Sequence, residues 1–119
     1  MNLADEILAV NDAQVERVEV PEWGDLGKRV YVRVMTGAER DSWEAHCIGA
    51  GEDKIALYKN IRARLVILTA CDDQGRLIFK PENEASLTQK SSRALQRLFD
   101  VAMRVNKLRK EDIEELTKN

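Results

Sequence analysis

The chain has one histidine, two cysteines and no long hydrophobic run, and each shortage removes a class of function. His46 stands beside Cys47, where a helix turns adjacent side chains about 100 degrees apart, so no thiol–imidazole dyad is expected and His46 reads as a helix-surface residue. The spacing of Cys47 and Cys71 suggests neither a disulfide framework nor a metal knuckle, which fits reduced thiols in a cytosol. Cys71, closing an apolar stretch, reads as a small buried hydrophobe. The longest apolar run, Leu65 to Cys71, is interrupted by Thr69 and falls far short of the roughly 20 residues that cross a bilayer. Met1 to Val10 carries Asp5 and Glu6 where a signal peptide carries positive charge, so the protein is expected to stay where it is made. An excess of positive charge is also missing: 19 basic residues face 21 acidic ones, for a net charge of -2. No overall cationic field draws the chain to phosphate backbones, and nucleic acid is not the expected partner.

What is present suits one globular domain spanning residues 1–119. At 119 residues the chain can bury one modest core. Its 44% hydrophobic content is too high for a disordered chain, and its 34% charged content is too high for a membrane-embedded one.

The hydrophobic pattern predicts a mainly α fold, a small helical domain of about four to five helices with an N-terminal β-hairpin. Leu3, Ile7 and Val10 fall on one side of a short first helix whose N-terminal end is acidic. Val18 and Val20 alternate with Glu19, Pro21 to Gly27 supplies turn residues, and Val30, Val32 and Val34 alternate with Tyr31 and Arg33, which reads as the hairpin. Thr36-Gly37-Ala38-Glu39 fits a capping box and starts a second helix presenting Trp43 and Cys47 on one face. Gly49-Ala50-Gly51 should stop or loosen that helix.

The strongest helical signal runs from Asp53 to Ala70, where Leu57, Ile61, Leu65 and Leu68 share one stripe. Leu65-Val66-Ile67-Leu68 is apolar nearly all round, so its last turns should be enclosed on several sides, each buried leucine contributing about 1.5–3 kcal/mol. Asp72-Asp73-Gln74-Gly75 reads as a turn, Leu77-Ile78-Phe79 as a short strand and Pro81 as its end. A further helix is expected over Ser86 to Lys107, with Leu87, Ser91, Leu95, Leu98, Ala102 and Val105 in one stripe and Phe99 beside it. A last short helix returns Ile113 and Leu116 to the core, and Thr117 to Asn119 should fray.

A search for chemistry finds little. Asp72-Asp73 lacks the alternating oxygen ligands and distal glutamate of a calcium loop. Gly49-Ala50-Gly51 is followed by Glu52 and Asp53 where phosphate would sit, without Walker spacing. No nucleophile stands with a positioned base, so neither catalytic residues nor a cofactor or metal is expected. Arg93, Arg97, Arg104, Lys107, Arg109 and Lys110 make the C-terminal helix locally basic, yet Asp112, Glu114 and Glu115 follow directly and no aromatics are interleaved. Candidate partner contacts are Trp23, beside Pro21 and Gly24 in the hairpin turn, whose ring reads equally as a cover for the edge of the core, and Tyr31 and Arg33, which share one hairpin face.

The order of features is more informative than any single one. Val20-Pro21-Glu22-Trp23-Gly24, Val30-Tyr31-Val32-Arg33, Thr36-Gly37-Ala38-Glu39-Arg40-Asp41 and Asp72-Asp73-Gln74-Gly75-Arg76-Leu77-Ile78-Phe79 follow an acidic first helix. Lys90-Ser91, Ala94-Leu95, Leu98-Phe99, Asn106-Lys107-Leu108 and Glu114-Glu115-Leu116-Thr117-Lys118-Asn119 come after them. Over nearly its whole length the chain resembles the tail assembly chaperones of long-tailed, non-contractile-tail phages. The resemblance implies a protein of the host cytoplasm, absent from the mature virion, that keeps the tape measure protein soluble during tail tube assembly. It implies a homo-oligomer, and a frameshift-extended form that recruits the tail tube protein. No family motif assigns residue roles, so Trp23, Tyr31 and Arg33 rest on their own chemistry. A tape measure protein is a long, largely helical chain with aggregation-prone apolar faces, and many copies bound head to tail would offer it repeated weak grooves. The competing reading is a small helix-turn-helix-like DNA-binding regulator using the basic C-terminal helices.

Overall fold

The structure, a computed structural model, describes residues 2–117, without the side chains of Ala56, Leu57 and Thr117. The expected fraying at the C-terminus and the place of Leu57 in the central stripe lie outside the described residues. Among those residues the chain forms seven α-helices and a small antiparallel sheet.

The N-terminal helix α1 (Leu3–Leu8) starts at Asn2, whose side chain accepts the Asp5 N–H at 2.9 Å. Strand β1 (Val15–Arg17) pairs antiparallel with β2 (Tyr31–Arg33) in the register Val15 to Arg33 and Arg17 to Tyr31. The pairing continues through the expected strand residues: Val18 N–H reaches Val30 O at 3.0 Å, and Val20 N–H reaches Gly27 O at 3.1 Å. The connection is not a tight turn but a 3-10 segment, Pro21–Arg29, kinked at Gly24 (φ 61). Proline at its first position presets φ, and glycine takes the left-handed kink without steric cost. Gly27 is required for another reason. A Cβ there would lie 1.9 Å from Val20 O, so only a bare backbone fits under the strand.

Helix α2 (Gly37–Ala50) begins at the expected capping box, with Glu39 N–H donating to Thr36 Oγ1 at 3.2 Å and Thr36 N–H donating to Glu39 Oε1 at 2.8 Å. It buries Trp43 and Cys47, as its periodicity indicates, and ends at Gly51 (φ 58).

The two longest expected helices are each divided, which raises the helix count. The stretch from Asp53 forms α3 (Lys54–Tyr58) and α4 (Ile61–Thr69), separated at Asn60, which adopts the left-handed conformation (φ 57). Asparagine tolerates that conformation better than most residues. The helix expected over Ser86 to Lys107 likewise becomes α5 (Glu84–Leu87) and α6 (Ser92–Val105). Ser91 is not a stripe residue but the N-cap of α6. Its hydroxyl accepts Arg93 N–H at 3.2 Å and Ala94 N–H at 3.4 Å, the local bonding that makes serine favour helix ends over interiors. The last helix, α7 (Lys110–Thr117), buries Ile113 and packs Leu116 against the core as expected.

A third strand, β3 (Ala70–Cys71), pairs with β2 on the side away from β1 and gives the order β1-β2-β3. The expected strand at Leu77 to Phe79 shrinks to one bridge between Leu77 and Cys71, with Ile78 N–H on Ala70 O at 3.2 Å. Between them Asp72-Asp73-Gln74-Gly75 forms the predicted turn. Asp72 Oδ1 accepts Gln74 N–H at 2.8 Å and Arg76 N–H at 3.0 Å, and Gly75 takes φ 80.

The core sits where α4 and α6 pack together over β2, with α2 and α7 closing a second side. Leu65, Leu98, Trp43, Val66, Val32 and Val20 are its largest enclosed side chains. Burial of Leu65, Val66 and Ile67, with Leu68 partly covered, matches the all-round apolar pattern of those turns.

Candidate functional site

The three candidate contact residues do not gather in one place. Trp23 and Tyr31 line the same open groove, about 960 Å³ in volume, while Arg33 lies among internal bonds. The 3-10 segment between β1 and β2 supplies part of the groove lining. Trp23 and Leu26 come from that segment, Val30 and Tyr31 from the entry to β2, Ile78 and Phe79 from beyond the Asp-Gly turn, and Leu87 from α5. Trp23 meets Phe79 edge to face, with ring centroids 6.4 Å apart and planes at 74°, a favourable quadrupole arrangement. Both rings are half-buried, and Leu26 and Ile78 beside them are exposed at 66% and 42%. Lys28, Arg29 and Lys90 bring positive charge to the rim, and Asp72 and Asp73 bring negative charge.

This groove has the form of a docking surface for an apolar segment: aromatic and aliphatic side chains inside, ionic groups around them. Nothing in it pairs a nucleophile with a base. The described residues contain no group of three or more His, Cys, Asp or Glu side chains that could hold a metal. Burial pushes the thiols of Cys47 and Cys71 up to about 11, which keeps both protonated and unreactive at neutral pH. His46 packs near Trp43, with ring centroids 6.2 Å apart, instead of lying free on the helix surface.

Arg33 ties three elements together. Its Nη1 donates to Gly75 O at 2.8 Å, fixing the Asp-Gly turn, and its Nη2 pairs with Glu39, the same carboxylate that caps α2. Beside it Asn106, after the end of α6, is a buried polar residue with every side-chain role filled. Its Oδ1 accepts Met35 N–H at 2.7 Å, and its Nδ2 donates to Arg33 O at 3.2 Å and Ala102 O at 2.9 Å. Arg40 Nη1 completes the corner at Asn106 O, 3.1 Å away. Sequence reasoning passed over Asn106, because no local pattern shows which distant backbone an amide will meet.

Three of the six basic residues near the C-terminus, Arg97, Arg104 and Arg109, are engaged with the protein's own carboxylates. Arg104 is bidentate to Glu16, Arg97 reaches Glu22 at 2.9 Å, and Arg109 pairs with Asp112 at 3.3 Å. The Arg104 hydrogen bond holds the Glu16 carboxyl below the usual range, and Asp112 is lowered likewise by Arg109. A duplex would have to break these pairs to use the same arginines.

A second exposed apolar feature lies at the N-terminus. Helix α1 buries none of its residues, and Leu3, Ile7, Leu8 and Val10 are exposed at 69%, 59%, 83% and 63%. The sequence showed its apolar side correctly, but that side meets no core. Among the described residues no helix is long and apolar enough to cross a membrane.

No curated protein matches the chain. The solved structure of the bacteriophage HK97 tail assembly chaperone is similar in fold, with a TM-score of 0.57 at 18% identity, covering 90% of this chain and 93% of that one. The family model described as phage tail assembly chaperone matches residues 2–119, so this chain belongs to the phage tail assembly chaperone family.

Proposed function

We propose that this protein binds the tape measure protein and keeps it soluble while the tail tube assembles, acting as a multimer in the host cytoplasm and leaving before the virion is complete. The observation that carries the reading is the open groove around Trp23, Tyr31 and Phe79 in a chain of the tail assembly chaperone family. Helix-in-groove docking reads apolar residues at helical spacing, which a long amphipathic chain offers repeatedly along its length. Many weak sites on many copies then reach high avidity while each remains easily released as tube subunits arrive. A frameshift-extended form that recruits tail tube protein belongs to the same proposal.

Co-expression tests it. The tape measure protein should remain in the soluble fraction with this chain and precipitate without it. Trp23→Ala should reduce the retained fraction while the variant itself stays folded. Insolubility of the tape measure protein in both cases would refute the role.

A further inference from the structure

We infer that the outer edge of β1 pairs with β1 of a second copy, antiparallel about a two-fold axis, so that two three-stranded sheets join into one. The edge lies apart from the groove, and the inference stands whether or not the groove is where a partner docks.

The sheet treats its two edges differently. Beyond β3 the chain returns on itself: Leu77 bridges Cys71 and Ile78 N–H reaches Ala70 O at 3.2 Å, so that edge is covered. The other edge strand is β1. Its bonds to β2 fall on alternate residues, with Val34 N–H on Gln14 O and Val18 N–H on Val30 O, each at 3.0 Å, and Glu16 opposite Val32 in the same series. In an antiparallel ladder bonded in that way, the N–H and C=O groups of Val15, Arg17 and Glu19 point away from β2. Among the described residues no hydrogen bond outside the ladder uses them. Such a row of open donors and acceptors is a template for another strand.

The side chains choose the occupant. Val18 and Val20 are buried, and alternation puts Arg17 and Glu19 on the opposite face, their side chains 51% and 70% exposed and 3.8 Å apart. Only outward-facing residues can bond across the new seam, so its register moves in steps of two. With Arg17 opposite Arg17, or Glu19 opposite Glu19, like charges meet and oppose pairing. With Arg17 opposite Glu19 of the second copy and Glu19 opposite Arg17 of the second copy, both contacts attract, and these residues exchange their backbone bonds. The axis then passes beside Val18, and Pro21, which has no N–H, ends the seam. Helix α6 packs over β2, so the two α6 helices share one face of the joined sheet. The two β2 strands stand three strand spacings apart, roughly 14 Å, and packed helices need only about 8–10 Å. A two-fold seam closes on itself and joins copies in pairs. One short strand makes a small contact, so pairing should be reversible and favoured at high concentration.

Charge reversal in the full chain tests the seam. Arg17→Glu and Glu19→Arg each set like charges across it, and each should weaken pairing by about tenfold in sedimentation. Mixing the two variants restores opposite charges at both contacts, so native mass spectrometry should find mixed pairs in excess over like pairs. Circular dichroism and the thermal midpoint of both variants should match wild type, since neither side chain enters the core.

A cross-link reads the register directly. Arg17→Cys and Glu19→Cys chains, mixed with oxidised glutathione, should form a mixed disulfide, because directly bonded positions stand about 5.5 Å apart. Either chain alone should cross-link far less, since its own positions lie across a diagonal of about 7–8 Å. Cys47 and Cys71 are buried, with thiols pushed up to about 11, and stay out of the exchange. Wild-type pairing by either charge variant would overturn the inference, as would no excess of mixed pairs, or mixed cross-linking no better than that of the single chains.

Discussion

Tyr31 and Arg33 stand on the same side of β2, two residues apart, and the structure puts them to opposite uses. Arg33 is held at the corner of β2, α2 and α6, where its guanidinium, the Glu39 cap and the Asn106 amide join chain segments far apart in sequence. Tyr31 faces the groove with Trp23 and Phe79 and remains partly exposed. One region is closed by directional bonds and the other is left open with apolar atoms. The two tryptophans repeat the contrast: Trp43 is fully enclosed in the core, and Trp23 sits half-buried at the groove. A binding protein needs both, since a groove keeps its shape only when the scaffold beneath it resists collapse.

Substitutions that break the closed region should show the largest effects on stability. Trp43→Ala is expected to cost about 3–5 kcal/mol in denaturant unfolding, because removing a fully buried indole opens a large cavity in the core. Trp23→Ala should cost only about 1–2 kcal/mol, in keeping with half burial, and should show its main effect in partner retention. Equal destabilisation by the two would erase the contrast.

Gly27→Ala comes next, at about 3 kcal/mol, since the new methyl cannot coexist with Val20 O and the 3-10 segment must shift. Because that segment carries Trp23 and Leu26, the same variant should impair groove binding, which a denaturation curve and a binding titration read separately. Asn106→Ala should cost about 1–3 kcal/mol by leaving Met35 N–H buried without its acceptor. Groove binding by the Asn106→Ala chain at low temperature should survive.

A smaller effect is expected in acid. Hydrogen bonds from the Arg76 and Gln74 N–H groups hold the Asp72 carboxyl below its ordinary range. A depressed folded value means stability that is present above the unfolded value, near 4, and lost as pH falls through the folded one. Asp72→Asn should therefore flatten the acid limb of the stability profile measured between about pH 5 and 2. The smallest signal is the thiols: with both raised to about 11, Cys47 and Cys71 should resist alkylation at pH 8 in the native state and react only on unfolding.

The sequence made the closed region largely legible and the open one only in part. A capping box, an Asx-type turn and an apolar stripe are local rules, so Thr36 to Glu39, Asp72 to Gly75 and the burial of Leu65 to Ile67 could be read directly. Helix breaks were harder. Asn60 and Ser91 sit inside continuous apolar periodicity, and each interrupts it by a property of its own side chain or backbone that periodicity does not weigh. Ala70–Cys71 reads as the tail of an apolar helix, and it turns into a strand only because β2 offers it a free edge. Trp23 and Tyr31 were nameable as candidate contacts from their size and position, but the groove they line depends on Leu26, Ile78, Phe79 and Leu87, brought together from three distant segments. Nothing local in those residues marks them as neighbours.

The claim that the open groove is the working surface can be tested with one tryptophan. In the Trp43→Phe chain, where the lost indole Nε1 reaches no acceptor among the described residues, emission reports Trp23 alone. Titration with a soluble helical segment of the tape measure protein should shift that emission to the blue and saturate, as the ring leaves water. An emission spectrum that does not move while the segment binds would place the partner elsewhere and contradict the account.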